Sequence, residues 1–98
     1  DERPPTVKVT NPRSGSVTAG RRPLLAARVK DSGSGIGREE DVIMALNGQR
    51  LISVYDPEAH RVEFQVEEEL APGEYQLEVT VRDRCGNEAR SSSSFRVP

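Results

Sequence analysis

Between Glu74 and Asp83 the chain reads Glu-Tyr-Gln-Leu-Glu-Val-Thr-Val-Arg-Asp, and Tyr75, Leu77, Val79 and Val81 alternate with polar residues without a break. A period of two puts these four apolar side chains on one face and Glu, Gln, Thr and Arg on the other. That is the pattern of a half-buried β-strand. The rest of the chain can be arranged as further strands packed against that face.

Thr6–Thr10 reads as a short strand with Val7 and Val9 inward, followed by the turn-forming run Asn11-Pro12-Arg13-Ser14-Gly15-Ser16. Residues 17–22 cross over. Pro23 starts a second strand, where its missing N–H does least harm, with Leu25, Ala27 and Val29 on one face. A third strand over 41–46 turns Val42, Met44 and Leu46 inward. Asn47-Gly48 then marks a hairpin, because a type I′ turn needs positive φ at both central residues. Residues 51–55 are expected to return as one strand. Asp56-Pro57-Glu58-Ala59-His60 turns the chain again, and residues 61–66 carry Val62, Phe64 and Val66 inward. Glu67-Glu68-Glu69 is a solvated connection, since no helix fits before Pro72-Gly73, and Leu70 reaches inward from it. Residues 89–97 form the last strand. Its Ser91–Ser94 run ends in the alternating Phe95-Arg96-Val97, so it reads as a serine-faced strand where the sandwich is narrow, and not as a linker.

This makes seven strands and no helix, the signature of an all-β, antiparallel seven-stranded sandwich. The 98 residues suit one domain over residues 6–98, with 1–5 as a charged, proline-containing linker. Hydrophobic residues make up only 34% and charged residues 31%, as expected of a thin sandwich with solvated outer faces. The 14 basic and 16 acidic residues are interleaved and leave a net charge of −2, which points to neither nucleic acid nor a membrane surface. No apolar run approaches a transmembrane length. From the start at Asp1-Glu2-Arg3-Pro4-Pro5 the chain is expected to be a module whose targeting information lies elsewhere. With the single cysteine Cys85 no internal disulfide forms, and the fold must rest on packing and hydrogen bonds.

Seven alternating strands put the two termini at opposite ends and sort the loops. Loops 31–41, 56–60 and 83–88 gather at one end. The 11–22 connection, Asn47-Gly48 and 67–73 gather at the other. At the first end Asp31 continues the inward register of Leu25, Ala27 and Val29, and Asp83 that of Val79 and Val81. A buried carboxylate needs several donors or a cation. The preferred reading is turn capping, each aspartate accepting backbone N–H groups of its own glycine-rich loop. The alternative is a Ca²⁺ site built on Asp31, Asp83 and Asn87, with oxygens from Glu39 or Glu40, without the spacing of an EF-hand. Otherwise no cofactor is expected.

The succession Asn11-Pro12-x-x-Gly15, Asp31-Ser32-Gly33-Ser34-Gly35-Ile36, Leu46-Asn47-Gly48, Leu70-Ala71-Pro72-Gly73-Glu74-Tyr75, Asp83-Arg84-Cys85-Gly86-Asn87 and Phe95-x-Val97 resembles bacterial Ig-like repeat domains. Such domains are modules of large secreted or surface-attached proteins. The resemblance spans nearly the whole chain. It implies an Ig-like sandwich, export to the cell surface, the exterior or the periplasm, and a role as spacer, stalk or adhesive module beside other domains. The chain has no tryptophan and one cysteine, so it lacks the Cys-Trp-Cys core of antibody-type domains. Such families often carry a small residue where Cys85 stands here.

Catalytic chemistry finds little footing. His60, Cys85 and the two aspartates share one end, yet nothing supplies an oxyanion hole or a substrate pocket for a thiol nucleophile. Two soft ligands are too few for structural zinc. Neither a phosphate loop nor a dinucleotide fingerprint stands between a strand and a helix, and Gly33, Gly35 and Gly37 serve a positive-φ loop. Of the aromatics Tyr55, Phe64, Tyr75 and Phe95, only Tyr55 is a candidate for exposure beside the 56–60 turn, a slender platform for a sugar. None of Asn11, Asn47 or Asn87 begins an N-glycan acceptor. Lys8 and Arg96 are the charges that would discourage edge pairing.

The expected function is therefore a non-catalytic spacer that positions neighbouring domains and is monomeric in isolation. One alternative is an adhesive module taking a protein or glycan on its loops through Ser34, Ile36, Tyr55, His60 and Cys85. Another is an accessory domain of an extracellular enzyme.

Overall fold

A computed structural model of the protein describes residues 5–30, 41–84 and 86–98. Asp31, Ser34, Ile36, Glu39, Glu40 and Cys85 lie outside the described residues. Among the described residues eight strands follow in chain order: β1 (Thr6–Asn11), β2 (Leu24–Lys30), β3 (Val42–Leu46), β4 (Gln49–Leu51), β5 (Val54–Asp56), β6 (Arg61–Gln65), β7 (Gly73–Arg82) and β8 (Glu88–Val97). They form two four-stranded antiparallel sheets, ordered β1-β2-β6-β5 and β4-β3-β7-β8. Alternation is what lets two such sheets pack face to face. Leu25, Ala27 and Val29 of β2, Val62 of β6, Met44 of β3, and Leu77, Val79 and Val81 of β7 are wholly buried. Phe95 and Val97 of β8 complete the core, with Tyr55, Phe64, Leu70 and Tyr75 packed at its margins. The rings of Tyr75 and Phe95, opposite one another on β7 and β8, stack with centroids 5.8 Å apart.

The count of eight corrects the expected seven. The stretch read as one strand over 51–55 is divided between the sheets: β4 pairs with β3, and β5 pairs with β6. Leu51 and Tyr55 both reach the core, while Ile52 and Val54 between them are 91% and 67% exposed. The alternation in sequence is preserved, but the backbone changes its hydrogen-bonding partner at Ile52-Ser53. Period two tells which face a side chain takes, not which sheet its backbone joins.

A second change of sheet lies near the start. β1 pairs with β2 until the register shifts between Val9 and Asn11, and the Asn11-Pro12 peptide is cis. The chain then runs parallel beside β8, where Val17 bridges Arg96. The Gly15 and Thr18 N–H groups donate to the Ser94 and Arg96 carbonyls at 2.7 and 2.9 Å, and the Arg96 N–H donates back to Ser16. Two inward serines tie β1 to β8. Ser93 is 2% exposed and its hydroxyl donates to the Pro12 carbonyl at 2.7 Å, and the Ser91 hydroxyl accepts from the Val9 N–H at 3.1 Å. The serine run is therefore a strand, and two of its hydroxyls supply the polar contacts that join the two sheets on this side.

The Asn47-Gly48 turn has φ of 49° and 83°, as a type I′ hairpin demands. Asn47 also exchanges two bonds with Gln76 of β7: its N–H donates to the Gln76 carbonyl, and its side-chain oxygen accepts the Gln76 N–H, each at 2.8 Å. The side chain thus continues the β3–β7 ladder by one rung. Because β4 and β5 continue in one direction, the extra strand leaves the two ends of the sandwich apart. The start of β1 lies beside the end of β2, and the end of β8 lies at the opposite pole of a body measuring 43 × 22 × 21 Å.

Candidate functional site

Among the described residues, the β5–β6 turn, the β7–β8 loop, the end of β2 and Asp41 before β3 lie at the pole where β1 begins. In the β5–β6 turn, Asp56 caps its own loop, its Oδ1 accepting the Glu58 and Ala59 N–H groups at 3.0 and 3.2 Å. His60 closes the turn at φ 54° and is exposed, and its carbonyl accepts the Val29 N–H at 2.9 Å. The backbone of His60 therefore joins this turn to β2. His60 borders a shallow concavity with Thr6, Lys8, Arg28 and Lys30, which does not include Asp83. Tyr55 does not stand free beside the turn. It lies opposite Val62 and is half-buried against the core, so the described aromatics offer no flat exposed ring.

Asp83 holds the β7–β8 loop. The inward register of β7 carries it to 3% exposure. Its Oδ1 accepts the Asn87 N–H at 2.8 Å, and its Oδ2 accepts the Asn87 side-chain amide at 3.0 Å. Its own N–H donates to the Asn87 carbonyl at 2.9 Å, and Gly86, at φ 86°, donates to the Asp83 carbonyl at 3.1 Å. Asp83 and Asn87 are thus joined in a closed exchange of hydrogen bonds that offsets the burial of a carboxylate. Among the described residues no three His, Cys, Asp or Glu side chains are grouped to hold a metal ion.

At the other pole a hollow of about 600 Å³ lies among Ser16, Val17, Asn47, Gln76 and Ser94. Its only paired charges are Glu74 and Arg96, 3.5 Å apart and well exposed. Neither pole brings a nucleophile against a base among the described residues.

One feature of the first sheet has no counterpart in the sequence reading. Register sets Lys8 opposite Arg28, and Arg28 opposite Arg61. The outward direction of each side chain is legible from its neighbours, but the pairing that lines up three cations is a product of register.

Two stacked antiparallel sheets with this strand order, and a chain that changes sheet at both margins, agree with the comparison to known families. A family model described as the bacterial Ig-like domain matches residues 26–97, from the middle of β2 to the end of β8. The chain belongs to the bacterial Ig-like domain family. Among solved structures this Ig-like domain is similar to part of dimeric latent PorU from Porphyromonas gingivalis, at 25% identity and a TM-score of 0.71. The match takes in 100% of the Ig-like domain and 11% of the PorU chain. The domain therefore spans about a tenth of the length of that relative. No curated protein matches it. Among the described residues no helix is long and apolar enough to cross a membrane.

Proposed function

We propose that this Ig-like domain is a non-catalytic spacer in a larger exported protein, extracellular or at the cell surface, where it sets the distance between neighbouring domains of its own chain. The observation that carries this reading is the placement of the two ends. Residues entering β1 and leaving β8 stand at opposite poles of a body 43 Å long and about half as wide. Force or position applied at one end is transmitted through the ten-residue strands β7 and β8, whose ladder is unbroken from Gly73–Val97 to Arg82–Glu88. The two changes of sheet stitch the layers together along both margins, so the layers resist sliding past each other. The similarity to a small part of a much longer chain supports the modular role.

The test is replacement within the full-length parent. An unrelated Ig-like sandwich of equal end-to-end length should preserve the parent's function, and a tandem pair or a deletion should impair it. Loss of function with a folded, length-matched replacement would contradict the spacer role and assign specific contacts to this domain.

A further inference from the structure

The outer face of the β1-β2-β6-β5 sheet carries a charge arrangement that the fold does not need. Thr6 and Lys8 on β1, and Arg28 and Lys30 on β2, alternate with inward-facing Val7, Val9, Ala27 and Val29, so all four are exposed on one face. Thr6 pairs with Lys30, Lys8 with Arg28, and Arg28 with Arg61. Adjacent strands lie ~4.8 Å apart and alternate residues ~6.8 Å apart along a strand, so these cations form a tight lattice. Like charges placed opposite each other across an antiparallel pair are destabilising. Among the described residues, relief from nearby acids is slight. Arg61 has Glu63 at 3.2 Å, whereas Asp56, opposite Arg61, uses its Oδ1 to cap the β5–β6 turn. Among the described residues no carboxylate lies within 4.0 Å of Lys8, Arg28 or Lys30. The protein as a whole is acidic, with a net charge of −2, so this is a local concentration. The same side chains, with Thr6 and His60, border a shallow concavity of about 520 Å³.

We infer that this face binds a linear acidic polysaccharide, with carboxylate or sulfate groups seated on Lys8, Arg28 and Lys30. The lattice spacing is on the scale of a sugar ring. The Thr6 hydroxyl, which donates to the Lys30 carbonyl at 3.3 Å and keeps its acceptor capacity, and His60 at the border add polar partners of the kind that sugar hydroxyls use. A single-stranded nucleic acid fits less well, because such sites stack bases on exposed aromatics and every described aromatic packs against the core. The inference goes beyond the spacer role: the module holds its neighbours apart and also holds an acidic polymer along one flank. The site lies on a sheet face and uses none of the loop residues predicted for adhesion except His60.

The experiment is calorimetric titration of the 98-residue chain with a heparin dodecasaccharide and with oligogalacturonate at low salt, repeated with a (dT)₁₂ oligonucleotide and a polyglutamate of equal charge. Binding of either sugar polymer is expected to weaken with salt with a log–log slope of about 3, roughly one per cation neutralised. Lys8→Ser, Arg28→Ser and Lys30→Ser are each expected to weaken it about 3- to 10-fold, which corresponds to ~0.6–1.4 kcal/mol. The triple variant should abolish it. Arg28→Ser should also raise the melting temperature by a few degrees, because it removes a like-charge pair. A purely structural role for Arg28 would lower it. No binding of either polysaccharide, a triple variant that binds as the parent does, or oligonucleotide or polyglutamate binding as tight as the sugar polymers would overturn the inference.

Discussion

Replacing Asp83 by alanine tests the chain of reasoning from register to loop most severely. Asp83 is 3% exposed, and its carboxylate accepts two hydrogen bonds from Asn87, at 2.8 and 3.0 Å. Hydrogen bonds to a charged group are worth ~1.5–3 kcal/mol each, so the two alone amount to roughly 3–6 kcal/mol. Removing the carboxylate also returns the several kcal/mol spent on its desolvation, though the Asn87 donors are then left without their acceptor. The net expectation for Asp83→Ala is a loss of about 2 kcal/mol. For a domain of this size that is a fall in Tm of about 8–16 °C. Asp83→Asn keeps an acceptor for the Asn87 N–H and sets an amide against an amide at the other contact, so it should cost about half as much. Urea unfolding of the two variants, of Asn87→Ala and of the double variant gives the coupling directly, expected at about 1–2 kcal/mol. Melts in millimolar calcium and in chelator belong to the same experiment. Asp83 is already held on both oxygens by Asn87, and no three His, Cys, Asp or Glu are grouped among the described residues, so no calcium-dependent shift is expected. An Asp83→Ala variant within ~0.5 kcal/mol of the parent would refute the capping argument. A calcium-dependent rise in Tm abolished in Asp83→Asn would replace it with a metal site.

Three further outcomes follow from the packing. Leu77→Ala, at a wholly buried position in the middle of β7, should cost ~2–5 kcal/mol in urea unfolding, whereas Gln76→Ala, its exposed neighbour, should stay within ~0.5 kcal/mol. Gly48→Ala should destabilise by about 1 kcal/mol through its φ of +83°, although nothing lies within 4 Å of the added methyl group, so the loss measures backbone strain alone. Ser93→Ala leaves the buried Pro12 carbonyl without its 2.7 Å donor and should cost ~1–3 kcal/mol, with faster hydrogen exchange of the Gly15 and Thr18 amides beside β8 as its local signature.

Most of the fold is legible because inward-facing residues recur at period two. The inward sets of β2, β6, β7 and β8 fall where alternation puts them, and the same periodicity carries Asp83 into the core margin. Asn47-Gly48 is legible for a different reason: its dihedral demand is local. What escapes the sequence is long-range. Ser93 reaches a carbonyl 81 residues away, and Val17 lies beside Arg96 in a parallel pairing that no turn signal announces. The division of 51–55 between two sheets escapes for a related reason, since Leu51 and Tyr55 show the same inward pattern whichever sheet holds their backbone. Lys8, Arg28 and Arg61 are each readable as outward, but only strand register lines them up. Tyr55 errs the other way: proximity to a turn suggests exposure, and its position opposite Val62 puts it against the core.

The central claim is that the module holds its two ends apart at fixed separation. Spin labels at Thr6→Cys and Pro98→Cys in a Cys85→Ser background measure that separation by dipolar spectroscopy. The rise of ten-residue β8, ~3.3 Å per residue, predicts a single narrow distribution near 30 Å. A mean below about 20 Å, or a broad distribution, would contradict the account, because a sandwich with neighbouring or loosely held ends cannot act as a spacer.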